Sequence, residues 1–410
     1  DQDPGLLIAY AQALNIMGRL KESRNALLRA RRIIVAKKGM QHMHADILYA
    51  LGGISFTGGN FASAQRLYRH ALRVCPLRAD LTRASILNSL GSLDTARGGK
   101  HLSAAVRCYE QAFKIARDKG YGGIEASILN NWAMSEWKRG NLNTAHTKLS
   151  PIVDLLAQHF TPGCGAGFYN AAKLSILLGS VSEAKQILDA GVKTCTPYND
   201  TWSLVVLWSG YGLFHSEKEE FEKAREYFDR SLQMALKLGV DRLTTIVLTE
   251  MCKINVATGN LAAAEEVLSQ VWSVKKTRDD AESIPVHLAE AKLRVAQGKL
   301  QEAESSIGCI QSLASRYGDT FNQFLAAVES AKFFNAAADA SNTLDALQEA
   351  VRLSREKGYD YLLSKELSKQ PWMVQFIREN DIELAYVRSV IRGAKIGVHW
   401  IDASLFGIPR

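Results

Sequence analysis

The sequence predicts an all-α protein, a right-handed solenoid of about nine helix pairs with a helical cap at its C-terminal end. Two observations lead to this prediction: a pattern that recurs about every 40 residues, and apolar residues at helical spacing on both sides of each recurrence. The pattern, Gly-x-apolar-x-x-small, is clearest in GNLNTA from Gly140 and GNLAAA from Gly259. A fixed period sustained along a chain is typical of repeat architectures, so the period determines the fold class.

The last residue of the pattern, here called the anchor, locates each repeat along the chain. Variants without the glycine, such as EEFEKA ending at Ala224, extend the pattern over most of the sequence. Successive anchors are 39 to 43 residues apart. The predicted anchors are Ser23, Ala64, Ala105, Ala145, Ala184, Ala224, Ala264, Ala303 and Ala346.

Each repeat is predicted to be an antiparallel helix pair. In the second repeat, Ala45–Phe56 has the apolar spacing of a first helix, helix A, and Ala62–Val74 that of a second, helix B. The glycine between them supplies a backbone conformation that residues with a Cβ avoid. A small residue such as Gly52 often lies twelve positions before the anchor, and a large then a small residue, such as Tyr68 and Ala71, follow it. This spacing lets adjacent helices interlock closely.

These features resemble the tetratricopeptide repeat over about residues 6–360. The period is nearer 40 than the usual value of about 34, and the additional residues are expected to lengthen the helices and the loops between repeats. The resemblance implies a superhelix in which helix A lines a concave groove. One helix pair cannot bury its own apolar face, so each repeat is expected to stack on its neighbours and to contact only them.

Three segments are predicted along the chain. Residues 1–360 form one elongated repeat superhelix, residues 361–395 form C-terminal capping helices, one of which begins at Pro371, and residues 396–410 form an exit linker. No apolar run is long enough to span a bilayer, and the first residues do not have the pattern of a signal peptide. A cytoplasmic location without membrane contact is therefore expected.

The six cysteines are dispersed and form no CxxC motif. Buried thiols in a reducing compartment fit this distribution best, and disulfides or a metal site are the alternatives. His42 and His44 are the only close histidine pair and lack a third ligand, so no metal site is predicted.

Signatures of catalysis are mostly absent. The sequence contains no GxxxxGK[ST], HExxH or GxSxG motif. The glycine-rich segment Gly163–Phe168 is interpreted as a loop between repeats, because its neighbours have the pattern of repeat helices. We therefore expect no enzymatic activity, no cofactor and no tight binding of ATP.

Charge is distributed unevenly along the chain. Residues 1–150 contain 22 Lys and Arg against 10 Asp and Glu, a net charge of +12, whereas the rest of the chain has a net charge of −4. A basic helical face can bind nucleic acid or an acidic partner, and it can equally be an ordinary solvated surface. No DNA-binding motif is present, so direct DNA contact is not predicted.

The groove that the resemblance implies is the candidate binding site. Positions about 15, 11 and 8 residues before each anchor would expose helix A side chains to it, with the third repeat shifted by two residues. Asparagine amides can hydrogen-bond an extended peptide, and lysines can hold an anionic group. Three lysines at equivalent positions would repel one another modestly and add nothing to stability. The alternative is that these residues are only the solvated side of helix A. The predicted site residues are Asn88, Asn130, Trp137, Tyr169, Lys173, Lys253 and Lys292.

The layout is also similar to the helical sensor region of large bacterial transcription regulators, the maltose-activator-like members of the signal-transduction ATPases with numerous domains. The period, the opening DPGLLIAYAQALNIMGRLKES and the later PWMVQFIREN carry this resemblance. It implies that the superhelix binds an inducer or inhibitor, which is a peptide, protein or small molecule. It also implies that the superhelix controls ATP-dependent self-assembly of the full-length protein into a homo-oligomer, and thereby controls output domains. The ATPase and output domains would lie outside this chain.

The alternative function is that of a stand-alone protein- or peptide-binding tetratricopeptide scaffold. Quorum-peptide receptors of Gram-positive bacteria have repeats of this kind, but they usually carry an N-terminal bundle that the sequence pattern does not show. Flanking ATPase or winged-helix domains in the full-length gene would favour the regulator.

Overall fold

A computed structural model of the protein describes residues 3–16, 19–36 and 43–393. Every regular element in this part of the chain is helical, so the predicted all-α repeat fold is confirmed. The first nine α-helices are α1 (Pro4–Ile16), α2 (Leu20–Ala36), α3 (His44–Thr57), α4 (Phe61–Val74), α5 (Asp80–Arg97), α6 (Leu102–Asp118), α7 (Gly122–Lys138), α8 (Leu142–Leu149) and α9 (Ile152–Gln158). They are followed by α10 (Gly165–Leu177), α11 (Val181–Cys195), α12 (Thr201–Glu217), α13 (Phe221–Leu238), α14 (Asp241–Ala257), α15 (Leu261–Val274), α16 (Ile284–Ala296), α17 (Leu300–Tyr317), α18 (Thr320–Ala336), α19 (Ala340–Lys357), α20 (Asp360–Lys369), α21 (Pro371–Glu379) and α22 (Leu384–Gly393). Short 3-10 helices occur at Gly99–His101, Thr196–Tyr198 and Ala281–Ser283.

Helix pairs follow one another along the described chain as the period predicts. Each of the first eight anchors is the fourth residue of its helix B, as Ala64 is in α4 and Ala264 in α15. Pro151 interrupts the fourth helix B, so that α8 ends before it and α9 begins after it. Pro371 begins α21 as predicted. His42 and the predicted exit linker at 396–410 lie outside the described residues.

The ninth anchor is wrong by three residues. Helix α19 begins at Ala340, so its fourth residue is Thr343 and not Ala346. Thr343 is buried, and the small residue twelve positions before it, Ala331, is buried as well. The anchor was misplaced because the preceding turn has no glycine and because Ala346 is a small residue close to the correct position. With Thr343 as the anchor, the last interval is 40 residues, like the others.

In the second repeat and in the fourth to ninth repeats, the turn between helix A and helix B has a residue with a positive φ five positions before the anchor. Gly259, for example, has a φ of 74°. Two repeats use a residue with a side chain there, Glu219 with a φ of 58° and Ala338 with a φ of 57°. Ala338 lies five positions before Thr343, which supports the corrected anchor.

We expect Ala338→Gly to raise the free energy of unfolding by about 0.5–1 kcal/mol. The left-handed conformation costs a residue with a Cβ about 1–2 kcal/mol, and the greater unfolded-state entropy of glycine cancels part of the gain. The neighbouring Ala337 is also exposed but has a φ of −80°, so Ala337→Gly should lower the free energy of unfolding. Urea unfolding compares the two variants, and a change of the same sign in both would contradict the assignment of strain to Ala338.

The small residues of helix A are packed against large residues of helix B. A Cβ on Gly52 would lie 2.5 Å from the ring of Tyr68, and a Cβ on Gly91 would lie equally close to Tyr109. The second contact confirms that the third repeat is shifted by two residues relative to its anchor. These glycines are needed because the two helix backbones approach too closely for any side chain.

The chain divides into two compact units. The first comprises the described part of residues 1–135 and 148–167, and its core includes Leu27 and Ile47. The second comprises residues 136–147 and the described part of 168–410, with Phe228, Val205 and Val247 in one of its cores. Within each unit, the apolar clusters join the helices of consecutive repeats.

Contacts between distant repeats occur within the second unit, so the expectation that each repeat contacts only its neighbours is wrong there. The Tyr359 hydroxyl donates a hydrogen bond to the Gly140 carbonyl at 3.0 Å. Phe324 packs on Tyr359 with ring centres 4.9 Å apart, and Phe321 packs edge-on against Trp137 at 5.8 Å. The turn of the fourth repeat is therefore packed against the end of the ninth.

The turns of the next two repeats are covered by the same C-terminal segment. A Cβ on Gly179 would lie 2.6 Å from the ring of Tyr361. The Tyr361 hydroxyl donates to Glu217 Oε1 at 2.8 Å, and Lys369 Nζ lies 3.0 Å from Glu219 Oε1. Residues 359–369, here called the clasp segment, thus lie along the turns of the fourth, fifth and sixth repeats.

Candidate functional site

Asparagines from the helix A positions of the first unit form a hydrogen-bonded row. Asn130 Nδ2 donates to Asn131 Oδ1 at 3.2 Å, and Asn131 Nδ2 donates to Asn88 Oδ1 at 3.1 Å. Asn88 Nδ2 donates in turn to Ser127 Oγ at 3.2 Å. The structure therefore joins the two predicted asparagines through Asn131. These four residues, which come from α5 and α7, are called the amide row.

The amide row has capacity for further hydrogen bonds. A side-chain amide carries two N–H donors and an oxygen with two lone pairs, and the bond from Asn88 to Ser127 uses one donor of Asn88. Asn88 is largely buried, whereas Asn131 is half-buried. Such a row can pair with the alternating N–H and C=O groups of an extended peptide.

In the second unit, Lys173 lies beside two aromatic rings. Its Nζ is 5.8 Å from the ring centre of Tyr169 and 6.0 Å from that of Trp137, at the outer limit of cation–π attraction. Burial, together with the charge of Glu250, raises the pKa of the Tyr169 hydroxyl, which therefore stays neutral. Three predicted site residues are thus brought together, with the two rings beside one ammonium group.

The charges of all three predicted lysines act on one carboxylate that was not predicted, Glu250. Lys253 Nζ lies 3.0 Å from Glu250 Oε1. Burial alone would raise the pKa of Glu250, but the ammonium groups of Lys253, Lys173 and Lys292 hold it below its usual value. Glu250 is therefore ionised at neutral pH, and its negative charge attracts the three ammonium groups.

Lys292 also pairs with a second group of charged residues. Lys292 Nζ lies 3.5 Å from Glu329 Oε1, and Lys332 Nζ lies 3.0 Å from the same oxygen. Lys332 also pairs at 2.7 Å with Glu366, which belongs to α20 and the clasp segment. Burial would lower the pKa of Lys332, but the two carboxylates raise it above its usual value. The residues of this lysine–glutamate cluster are Lys173, Glu250, Lys253, Lys292, Glu329, Lys332 and Glu366.

The expectation that the lysines add nothing to stability assumed ammonium groups without partners, whereas Lys253 and Lys292 have carboxylate partners. A signal for the missing residues exists in the sequence. Glu250 and Lys253 lie 14 and 11 positions before Ala264. With the ninth anchor corrected, Glu329 and Lys332 lie 14 and 11 positions before it. The misplaced anchor hid this repetition.

We expect Lys253→Ala to lower the free energy of unfolding by about 1–3 kcal/mol, because Glu250 then stays buried with less compensation. The folded-state pKa of Glu250 is lowered, so its contribution to stability is present above the ordinary glutamate pKa of 4.5 and is lost as the pH falls. The deficit measured by urea unfolding at neutral pH should therefore shrink in acid. Lys185→Ala, which removes an exposed pair with Asp189, is the control and should cost less than about 1 kcal/mol. An equal deficit in both variants would contradict the role given to Glu250.

The basic excess of the first unit lies on helix B rather than on the amide row. Arg29 and Arg32 of α2 and Arg66, Arg69 and Arg73 of α4 are all exposed. An acidic partner bound to these arginines would occupy helix B and not the helix A site.

Neither a protein-family model nor a curated protein sequence matches the chain. Several solved structures are similar to it in fold. A Rap protein complexed with competence and sporulation factor has a TM-score of 0.61 and 10% identity, over 87% of this chain and 98% of that chain. The apo form of RapI has a TM-score of 0.54 and 11% identity, over 86% and 98% of the two chains. A dimer of human IFIT1 with m7Gppp-AAAA has a TM-score of 0.52 and 13% identity, over 95% and 86%.

The chain has a tetratricopeptide-type helical-repeat fold. At these identities the similarity establishes the fold, and the site has to be argued from the residues of this chain. Among the described helices, none combines the length and apolar character that a membrane span needs.

Proposed function

We propose that the chain is a protein- or peptide-binding helical-repeat scaffold with a regulatory role, and that its ligand lies on the helix A face. The observation that carries this function is the amide row, in which Asn88 and Asn131 are aligned by hydrogen bonds across successive repeats. A continuous line of amides suits a peptide backbone better than a compact metabolite. The complex of a Rap protein of similar fold with competence and sporulation factor supports the same class of partner.

The more specific function that we propose is that of the sensor region of a bacterial transcription regulator, with output domains outside this chain. The segments with the resemblance to those regulators support it, and so does the lysine–glutamate cluster. That cluster joins helix A residues to Glu366 of the clasp segment, so a ligand that competes for these charges would alter the contact. We propose no catalytic activity and no cofactor for the chain itself.

A panel of fluorescent octapeptides titrated against the full chain tests the scaffold function. We expect some members to bind, and Asn88→Ala combined with Asn131→Ala to weaken that binding at least tenfold, which corresponds to about 1.4 kcal/mol. Asn25→Ala, which truncates an exposed asparagine of α2 on helix B, is the matched control and should leave the affinity unchanged. Wild-type affinity in a folded double variant would rule out the amide row as the site.

A further inference from the structure

The helix B face of the first three repeats carries exposed cations at equivalent positions. Arg66 and Arg107 lie two positions after their anchors, and Arg32, Arg73 and Lys114 lie nine positions after theirs. All five residues are exposed. Positions two and nine are about two helical turns apart, so they lie on the same side of each helix. These five residues are called the cationic rows.

The cationic rows have no carboxylate partners among the described residues. Helix α4 contains no aspartate or glutamate, and the one glutamate of α2, Glu22, pairs with Arg19 at 2.6 Å. A helix B of the second unit differs, because Lys185 of α11 pairs with Asp189 at 2.8 Å. The positive charge of the first unit is therefore left open to solvent rather than neutralised within the chain.

The positive surface continues from one repeat to the next. Burial raises the pKa of Asp94, and Arg69 of α4 and Arg107 of α6 are among the cations that oppose this rise. Burial lowers the pKa of His44, and the charges of the exposed histidine of α4 and of Arg31 of α2 lower it further. Charges from α2, α4 and α6 thus lie close enough to act on shared groups.

The fold does not need these cations. At the position two after the anchor, the sixth, seventh and ninth repeats have Glu226, Glu266 and Asp345, where the second and third repeats have arginine. The helix pair therefore accepts either sign of charge at this position. Unpaired like charges on one surface repel one another and oppose the compact state. A negatively charged partner would compensate them.

The side chains on α4 suit phosphate groups. A guanidinium group pairs with a phosphate through two parallel N–H groups, and it is less strongly hydrated than an ammonium group. Base edges are often read by the hydroxyl and amide side chains of serine, threonine, asparagine and glutamine, and α4 exposes none of these. Contact with the phosphate backbone is therefore favoured. The exposed residues of α4 are Ala62, Arg66, Arg69, His70, Arg73 and Val74.

The same face lacks the groups that other anionic partners use. Within the described residues of α2, α4 and α6, no tryptophan, tyrosine or phenylalanine is exposed. Single-stranded nucleic acids usually stack their bases on aromatic rings, and protein interfaces usually have an aromatic or apolar centre. A duplex requires neither, because its phosphates line its outer surface at regular spacing.

We infer that the cationic rows bind the phosphate backbone of a DNA duplex. The choice of DNA over duplex RNA rests on the proposed function of the chain as part of a transcription regulator, which DNA-bound output domains would hold beside DNA. The absence of a DNA-binding motif led to the expectation of no direct DNA contact, but contact with phosphates needs no such motif. DNA bound to helix B would leave the amide row on helix A uncovered.

Fluorescence anisotropy of a short labelled DNA duplex, titrated with the full chain, tests the surface. We expect binding to weaken about 100-fold between about 50 and 200 mM salt, as it should when about four phosphates are neutralised. Arg66→Gln combined with Arg73→Gln should weaken binding at least about tenfold and reduce the salt slope by about two. Lys193→Gln combined with Lys237→Gln is the matched control. It makes the same change in net charge at exposed positions of α11 and α13, and it should leave the affinity and the slope unchanged.

Arg66→Glu is the second variant, and it should fold because the sixth and seventh repeats have glutamate at the equivalent position. We expect it to weaken DNA binding more than Arg66→Gln does. Absence of DNA binding, affinity independent of salt, or unchanged affinity in the folded row variants would each overturn the inference.

Competitors of equal total charge test the choice of partner: a duplex RNA, a single-stranded DNA, polyglutamate and phosphatidylserine vesicles. We expect the DNA duplex to bind at least as tightly as each of them, and tighter binding of any competitor would overturn the assignment to DNA. The octapeptide titration depends on the amide row of helix A. Failure of the DNA surface and failure of the scaffold function therefore give different results.

Discussion

Gly140→Ala should lower the free energy of unfolding by more than about 3 kcal/mol, whereas Gly259→Ala should lower it by about 1–2 kcal/mol. Both glycines lie five positions before an anchor and have similar φ values, 82° and 74°. A Cβ on Gly259 would meet nothing within 4 Å, so only the left-handed conformation is penalised there. A Cβ on Gly140 would overlap the hydroxyl of Tyr359, which would have to leave its buried position and break its hydrogen bond to the Gly140 carbonyl.

Urea unfolding followed by tryptophan fluorescence measures both variants. Gly179→Ala is a second case of the same kind, because its Cβ would lie 2.6 Å from the ring of Tyr361, and it should behave like Gly140→Ala. Equal losses in all three variants would show that the clasp segment does not pack on the turns of the fourth and fifth repeats.

Lys332→Ala should lower the free energy of unfolding by about 3–5 kcal/mol, because it leaves the buried carboxylate of Glu329 and the half-buried carboxylate of Glu366 without their shared partner. Arg352→Ala is the control on α19. Arg352 also pairs with two glutamates, Glu349 and Glu356, but all three side chains are exposed and the loss should be below about 1 kcal/mol. Comparable losses for the two variants would contradict the buried network.

The pH dependence of the Lys332 effect follows from the two shifted pKa values. Burial would raise the pKa of Glu366, but the neighbouring lysines lower it, so its contribution to stability is present above the ordinary glutamate pKa of 4.5 and is lost in acid. The pKa of Lys332 is raised, so its contribution to stability is present below the ordinary lysine pKa of 10.5 and is lost as the pH rises through the folded-state pKa. The difference between wild type and Lys332→Ala should therefore be largest between these limits. A difference that grows on acidification would contradict the assigned charges.

Most of the fold was predictable because it is periodic. Eight anchors, the glycine turns and the close packing of Gly52 on Tyr68 all follow from patterns that recur along the chain. The ninth anchor failed because its turn has Ala338 in place of glycine and because Ala346 offered a small residue one helical turn too late.

The candidate site was predictable only in part. Spacing placed Lys173, Lys253 and Lys292 in one region, but the recurrence of Glu250 as Glu329 becomes visible only when the ninth anchor is placed at Thr343. The contact of Tyr359 with Gly140 joins residues 219 positions apart, which is not a property of any repeat. Such contacts depend on how the second unit packs in three dimensions, and the sequence period contains no information about that packing.

The most direct test of ligand binding on helix A is photo-cross-linking of the tightest octapeptide, carrying benzoylphenylalanine, followed by mass spectrometry of the cross-linked chain. We expect the cross-links to fall in α1, α3, α5 and α7, on peptides that contain Tyr49, Asn88 or Asn131. Cross-links confined to the helix B elements α2, α4 and α6 would contradict the assignment and would place the ligand on the basic face instead.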